Sequence, residues 1–456
     1  MSHSLHIIIL AAGQGTRMKS DLPKVLHKIG AKPLLEHAID ATRSLDAEAI
    51  HVIYGHGGEQ VTKALSHCNV NWIEQTEQLG TGHAVLQAMP AVGHNKIVLI
   101  TYGDVPLITD RTLQNIIGHT AENTLALLTA ELSNPMGYGR IVRSDLGDVR
   151  EIVEEKDATA EQKKINEINT GMLAVNSDLL MRWLDGLETD NAQGEYYLTD
   201  IISMAVIEGV EIKTISPTEL VEIEGVNNKR QLANLERVYQ RKQADLLMDK
   251  GVTIADPSRF DLRGELKVGK DVEIDVNVVI EGQVSVGDRV KLGPNNVIIN
   301  SSIGDDTIIL PNCVIEKAII GKNCDIGPFS RIRPDTQLAE NVKVGNFVEI
   351  KKSTVDTGSK INHLSYVGDT TMGARVNVGA GTITCNYDGA NKHQTIIEDD
   401  VFIGSDTQLV APVKVGAGAT IGAGSTITHD APEQELTLSR SPQKARKGWK
   451  RPKKNK

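Results

Sequence analysis

From Val268 to Ile427 a six-residue unit repeats: an aliphatic position, often followed by Gly, then mostly polar residues. The frame holds at Ile320-Gly321, Ile326-Gly327, Ile332, Leu338, Val344-Gly345 and Ile350, and again at Ile397, Ile403-Gly404, Leu409, Val415-Gly416, Ile421-Gly422 and Ile427. It begins at Val268-Gly269, Ile274, Ile280, Val286-Gly287 and Leu292-Gly293, and slips near Pro294 and again near Gly358. So short a period predicts a parallel β-helix, in which each short strand turns one aliphatic side chain inward and each coil buries its neighbour. On this reading the Gly after the aliphatic residue supplies the positive φ needed where the backbone turns. A sandwich of short strands would not keep a fixed spacing over so many units. One insertion, Gly381 to Thr395, breaks the frame with Cys385-Asn386-Tyr387-Asp388-Gly389-Ala390-Asn391, and a polar loop thrown off a solenoid is where function collects.

The repeats occupy less than half of 456 residues, so at roughly 100 to 200 residues per domain two or three domains are expected. Aromatic residues are only 3% of the chain, which suits a thin prism filled by Ile, Val and Leu. The net charge is −10, and the eight Lys and Arg between Lys444 and Lys456 leave −18 on the rest. A body that acidic excludes sequence-independent nucleic-acid binding, which depends on neutralising phosphates; the basic tail reads as a solvated end. Cys68, Cys313, Cys324 and Cys385 show neither close pairing nor metal spacing, the pattern of reduced thiols in a cytoplasmic protein. No basic region precedes the first apolar run, and no stretch approaches the ~20 apolar residues of a membrane span, so no stable membrane insertion is expected.

Before the repeats, strand-like runs alternate with helical stretches: Ile7 to Leu10, Val52 to Tyr54, Val70 to Trp72, Ile97 to Tyr102 and Leu125 to Thr129. That alternation predicts an α/β sheet with ligands beyond the carboxyl ends of its strands. From Asn228 to about Lys250, Leu232, Leu235, Val238, Leu246 and Leu247 recur near helical spacing with no Pro or Gly between, which predicts a connecting helix. The expected division is 1–227, a linker helix 228–250, and a β-helix with its basic tail over 251–456.

The first strand runs into Ala11-Ala12-Gly13-Gln14-Gly15-Thr16-Arg17-Met18 and then Pro23-Lys24-Val25-Leu26. Two glycines after a strand let backbone N–H groups approach phosphate oxygens, and Arg17 and Lys24 add the charge that a triphosphate and a sugar phosphate demand. The string is neither G-x-G-x-x-G nor G-x-x-x-x-G-K-[ST], so a nucleotide fold of another kind is implied. Tyr102-Gly103-Asp104-Val105-Pro106 closes another strand; alone, its Asp reads equally as a turn or cap carboxylate.

Together these two strings resemble the signature of the sugar-1-phosphate nucleotidyltransferases, Rossmann-like enzymes that join a nucleoside triphosphate to a sugar phosphate and release pyrophosphate. The resemblance makes Asp104 a magnesium ligand.

The β-helix alone names no reaction, because such helices serve acyl transfer or assembly. Its monotony breaks at His363 and Tyr366, with Asn377, Ala380, Asn386 and Tyr387 following. A His with a pKa near ~6.5 could take the proton from an attacking amine, although a solvent-facing His is more often inert.

Both halves together resemble the bacterial family of bifunctional N-acetylglucosamine-1-phosphate uridyltransferase and glucosamine-1-phosphate acetyltransferase, over essentially the whole chain. The resemblance implies an α/β Rossmann-like nucleotidyltransferase domain joined by a long helix to a left-handed parallel β-helix of hexapeptide repeats. It places Leu10, Ala11, Ala12, Gly13, Lys24, Tyr102, Gly103 and Asp104 around the nucleotide, and Gln75, Gly80 and Thr81 of Glu74-Gln75-Thr76-Glu77-Gln78-Leu79-Gly80-Thr81-Gly82-His83 on uracil. Gly139, Glu154, Asn169 and Asn227 become sugar contacts, with Asn227 sharing Mg²⁺ with Asp104. Gln14 departs from the Lys that many relatives carry, a harmless change where a loop backbone cradles phosphate. In the second half Arg333 and Lys351 match the holders of the sugar phosphate, His363 the general base, and Tyr366, Asn377, Asn386 and Tyr387 sugar and acetyl contacts. Ala380, Asn386, Tyr387, Ser405, Ala423 and Arg440 fall around acetyl-coenzyme A. Without the resemblance, Arg333 and Lys351 read as snorkelling surface charge and Ser405 as a turn residue.

Implied with these are UTP, acetyl-CoA and glucosamine 1-phosphate as substrates, Mg²⁺ as cofactor, and a homotrimer with acetyl sites at subunit seams. Two other readings compete. One is a monofunctional sugar-1-phosphate nucleotidyltransferase whose β-helix serves only oligomerisation. The other is a structural solenoid with a degenerate nucleotide fold, which predicts gaps in the Arg17, Lys24, Asp104 and Asn227 set; there are none.

Overall fold

Ile7, Ile8 and Ile9 are all fully buried, so the strand they form is covered on both faces, as the middle of a helix-flanked sheet requires. The computed structural model describes residues 4–55 and 58–454. The first sheet contains β1 (Leu5–Leu10), β2 (Ala49–Tyr54), β3 (Asn71–Glu74), β4 (Ile97–Tyr102), β5 (Thr124–Glu131), β6 (Arg140–Arg143), β7 (Val149–Val153), β8 (Glu167–Asn176) and β9 (Glu211–Ile215). Each strand run expected from sequence is found; the third begins one residue later than read and extends to Glu74.

The sheet order is β9-β5-β8-β4-β1-β2-β3, with β6 pairing β8 and β7. β1 runs parallel to both β2 and β4, so successive connections leave β1 in opposite directions. A crevice opens at such a switch point, beyond the carboxyl ends of the strands. Ala11 to Gly13 follow β1 there, and Gly103 and Asp104 follow β4. Gly103 N–H donates to the Leu10 carbonyl at 2.9 Å, tying the two strand ends together.

A helix spans Lys229–Asp249. The chain forms two compact units, Met1–Tyr239 and Gln240–Lys456, whose boundary falls inside that helix.

The second unit is built of short parallel strands in continuous ladders, one of 11 strands and one of 17. Three columns of aliphatic side chains fill the interior, for example Ile332-Ile350-Val367, Leu338-Val355-Met372 and Val344-Ile361-Val378, each at most 3% exposed. Burying such a side chain contributes ~1.5–3 kcal/mol, so dozens of them offset the ordering of a chain with few aromatic residues. This is the parallel β-helix expected from the repeat.

Two details of that expectation are corrected. The six-residue step slips at more corners than the two expected near Pro294 and Gly358. It continues from Leu292 to Ile298 and shortens to five between Ile298 and Ile303, Ile315 and Ile320, Ile350 and Val355, and Val367 and Met372. A residue of positive φ turns each shortened corner: Asn300, Lys317, Lys352 and Asp369. Gly327 at φ +106 apart, the Gly after the aliphatic residue does not supply positive φ. Asp306 and Asn323, two residues after Gly304 and Gly321, do that, as short polar side chains tolerate. The Gly is required by close approach: a Cβ on Gly345 would lie 1.9 Å from the Asn362 carbonyl oxygen of the next coil.

Coil length therefore varies. Partners on adjacent coils are 18 residues apart at Ala318 and Thr336, 17 at Asn346 and His363, and 25 across the insertion at Asn377 and Phe402.

Candidate active sites

In the first unit a cleft of about 460 Å³ opens at the switch point, lined by Leu10 to Gln14, Lys24, Gln75, Gln78, Gly80, Thr81, Tyr102, Asp104 and Glu195 among others. Ten residues expected around a nucleotide, from Leu10 to Gly13 and on to Asp104, thus share one wall. The loop after β1 is shaped by Gly15, at φ +63, where a Cβ would come 2.7 Å from the Lys24 Cβ. That close approach lays Lys24 against the loop.

Lys24 Nζ donates to Asp104 Oδ2 and, at 3.3 Å, to Asn227 Oδ1. Arg17 Nη2 donates to the same Asn227 oxygen at 3.2 Å. Asn227 is brought here by the Val226 N–H, which donates to the Asp104 carbonyl at 2.9 Å. One carboxylate and one amide oxygen thus converge on a single cationic group, the Lys24 ammonium. Hard oxygen donors, few in number, suit Mg²⁺, which completes its shell with water and phosphate. Among the described residues no cluster of three or more His, Cys, Asp or Glu offers a rival metal site.

Gly139, Glu154 and Asn169 form a second group. Asn169 N–H donates to the Gly139 carbonyl at 2.9 Å, and a Cβ on Gly139 would stand 3.5 Å from Glu154 Oε1. Burial raises the Glu154 carboxyl pKa, opposed by a bond from Thr199 Oγ1 at 3.2 Å. Tyr102 joins this group to the cleft: it lines the cleft, and its ring packs where a Cβ of Gly171 would lie. Burial, with Glu154 and then Asp104 nearby, pushes its phenol pKa up. Sequence reading missed Gln78, whose amide nitrogen donates to the Ala12 carbonyl at 2.9 Å, and Glu195.

In the β-helix, His363 is exposed at the end of strand Lys360–His363, and its Nδ1 lies 2.9 Å from Asn346 Oδ1 on the preceding coil. An amide oxygen only accepts, so Nδ1 carries the proton and the Nε2 lone pair is left to face solvent. Asn346 was not legible as a site residue. The 17-residue offset that puts it under His363 exists only after the coil is closed.

Ala380, Ser405 and Ala423 continue the same corner, one per coil. Gly381 N–H donates to the His363 carbonyl at 3.3 Å, Asp406 N–H to Ala380 at 2.7 Å and Gly424 N–H to Ser405 at 2.8 Å. Arg440 Nη1 donates to the Ala423 carbonyl at 2.6 Å. Residues spread over 77 positions thereby fall on one line leading from His363.

Tyr366 begins the strand after the His363 corner, and the Asn386 amide nitrogen donates to its Oη at 3.4 Å and to Asp369 Oδ2 at 2.6 Å. Asn377 lies on the strand paired with that of His363, opposite Lys360. Tyr387 is exposed in the inserted loop. Arg333 pairs with Glu349 at 2.7 Å, whereas Lys351 faces Lys392, whose pKa is pushed down first by that neighbouring ammonium. Lys392 is thus a neighbour of Lys351 that the sequence did not single out.

Residues 7–165 match the MobA-like NTP transferase domain family, residues 262–355 the GMPPB C-terminal domain family, and residues 394–429 the bacterial transferase hexapeptide family. A bifunctional protein GlmU from Methylococcus capsulatus is 58% identical over 98% of this chain and 97% of that protein. One from Marinobacter nauticus is 57% identical over 99% of each. Among solved structures, a nucleotidyl transferase from Methanothermobacter thermautotroptrophicus is 19% identical, over 53% of this chain and 100% of that one, at a TM-score of 0.40. Identity that high, carried through both the nucleotide cleft and the hexapeptide helix, makes this chain a member of the bifunctional GlmU family.

Proposed function

We propose that the chain acetylates glucosamine 1-phosphate with acetyl-CoA in its β-helix, then transfers UMP from UTP to N-acetylglucosamine 1-phosphate in its first unit, giving UDP-N-acetylglucosamine and pyrophosphate. One observation carries the two-step reading: a single chain has Lys24, Asp104 and Asn227 around one cation position and a separate His363 whose Nδ1 is engaged by Asn346. The monofunctional alternative leaves the second arrangement without use.

In uridylyl transfer a phosphate oxygen of N-acetylglucosamine 1-phosphate attacks the α-phosphorus of UTP and pyrophosphate departs. Little covalent work falls to the protein. Arg17 and Lys24 neutralise the like-charged reactants, the loop from Ala11 to Gly13 holds the phosphates, and Gly139, Glu154 and Asn169 orient the sugar. Asp104 and Asn227 would hold Mg²⁺, which supplies further neutralisation of phosphate charge.

In acetyl transfer the glucosamine amine attacks the thioester carbon, His363 Nε2 takes the amine proton, and coenzyme A leaves as thiolate. Lys351, Lys392 and Arg333 receive the sugar phosphate, with Glu349 released from Arg333 or competing for it. Ala380, Ser405, Ala423 and Arg440 line the run for acetyl-CoA, and Tyr366, Asn377, Asn386 and Tyr387 border the sugar. Next to His363 stands an exposed apolar ladder: Phe329 and Phe347 stack at 5.3 Å, and Leu364 follows one coil on. Such a ladder supports a homotrimer whose seams complete the acetyl sites. Among the described residues no helix is long and apolar enough to cross a membrane, and we place the enzyme in the cytoplasm.

The test supplies glucosamine 1-phosphate, acetyl-CoA, UTP and Mg²⁺ and follows free thiol and pyrophosphate separately. Both products, with pyrophosphate dependent on prior acetylation, are expected. Pyrophosphate from N-acetylglucosamine 1-phosphate without thiol release would reduce the β-helix to scaffold.

A further inference from the structure

Gln75 is 4% exposed and lines the nucleotide cleft. Its carboxamide nitrogen lies 3.2 Å from the Gly80 carbonyl oxygen and 3.0 Å from His83 Nδ1. A carbonyl oxygen only accepts, so the atom facing Gly80 is the NH₂ end of the amide. That group has two hydrogens. One goes to Gly80 and the other to the imidazole, which must offer a lone pair at Nδ1 and carry its own proton on Nε2. With both hydrogens engaged, the end of Gln75 left for a ligand is the Oε1 acceptor.

We infer that His83 is a positioning residue for base selection. By holding the amide nitrogen it makes Gln75 present an oxygen to the base. An oxygen there accepts the N3–H of uracil and repels cytosine, whose N3 is itself an acceptor. A site built to hydrogen-bond one partner discriminates strongly because the wrong partner leaves a buried group unpaired. The inference rests on the uridylyl-transfer reading of the cleft and adds the residue that sets its choice of base.

His83 is held in turn. Its ring packs against Tyr196 at 6.4 Å between centroids. Tyr196 is fixed by its N–H to the Leu79 carbonyl and by the Gly82 N–H to its own carbonyl, both 2.8 Å. The Gln87 carboxamide lies 3.1 Å from His83 Nε2, one turn along the helix Thr81–Val92. Rotation of that amide end for end puts its oxygen opposite the Nε2 proton. The Gln87 nitrogen is held only by a 3.4 Å bond to the His83 carbonyl of its own helix, longer than the 3.2 Å bond from Gln75 to Gly80, so Gln87 is the amide that turns and Gln75 the one that stays.

The test measures kcat/KM for UTP and for CTP with N-acetylglucosamine 1-phosphate, on the full chain, by pyrophosphate release. His83→Leu removes the acceptor and frees the Gln75 amide to turn. Its UTP-over-CTP ratio should fall about tenfold or more, through a higher KM for UTP, while the KM for the sugar phosphate stays. His83→Asn returns an acceptor oxygen near the former Nδ1 position and should keep most of the ratio. An unchanged ratio in His83→Leu overturns the inference. So does an equal loss in His83→Asn, which would make ring packing the cause. An unsubstituted chain that uses UTP and CTP alike also overturns it, whereas one that releases pyrophosphate from neither overturns the reading of the cleft itself.

Discussion

Asn346 and His363 occupy equivalent places on adjacent coils, 17 residues apart, and the Asn346 oxygen lies 2.9 Å from His363 Nδ1. The amide selects the tautomer that leaves Nε2 basic. Removing His363 itself should cost ~10²- to 10⁴-fold in acetyl transfer. Asn346→Ala should lower the kcat of acetyl transfer by roughly ten- to a hundredfold and leave the KM for acetyl-CoA close to its starting value. Steady-state thiol release checks this, and a normal kcat would remove Asn346 from the mechanism.

Asp104 meets Lys24 and, through Val226, fixes Asn227. Asp104→Ala should abolish uridylyl transfer and spare acetyl transfer, read as pyrophosphate and thiol from the same preparation. Retained pyrophosphate release would refute the metal assignment.

Gly345 precedes Asn346, and a Cβ there meets the backbone of the next coil. Gly345→Ala should force the coils apart, lowering stability by about 1–3 kcal/mol, and displace Asn346 from His363. Thermal unfolding together with both activities checks this: acetyl transfer falls and uridylyl transfer remains.

His6 and His51 stack at 5.3 Å in the buried interior, their Nδ1 and Nε2 3.0 Å apart, with Glu48 and Lys96 beside His6. Burial first, then the neighbouring His6, lowers the His51 pKa from 6.5 to about 4. Between those values the unfolded chain binds more protons than the folded one, so stability falls as the pH drops through that window and is fully present above it. The loss should reach about 3 kcal/mol at its lower end. Urea unfolding of the chain at pH 7 and pH 5 measures it, and replacement of both histidines by Phe should flatten the dependence.

Phe329 and Phe347 are 51% and 55% exposed and Leu364 is 61% exposed, on one corner of the β-helix. Phe347→Asp places a charge in that ladder and should dissociate the proposed trimer, with acetyl transfer falling as sedimentation reports smaller particles. A monomeric wild-type chain active in acetyl transfer would contradict the seam.

The strands were legible because an unbroken run such as Ile7-Ile8-Ile9 has no face for water, and the β-helix because Ile and Val every six residues have one inward direction. The nucleotide loop was legible because Gly15 and Lys24 lie close along the chain. What misled was local logic applied to the hexapeptide Gly. Gly345 is small because another coil passes over it, and the positive φ sits elsewhere.

Periodicity by itself determined the β-helix, the alternating sheet and the helix between them, since each is a repeat of one residue's preference for burial. Tertiary structure alone decided which polar side chains meet. Asn346 reaches His363, Lys392 reaches Lys351 and His83 turns Gln75. In the β-helix the meeting of two residues depends on the summed lengths of the corners between them, 17, 18 or 25 residues to a coil. A hydrogen bond tolerates a few tenths of an ångström. One shortened corner moves every later partner by a residue, and no local pattern records where the next coil will land.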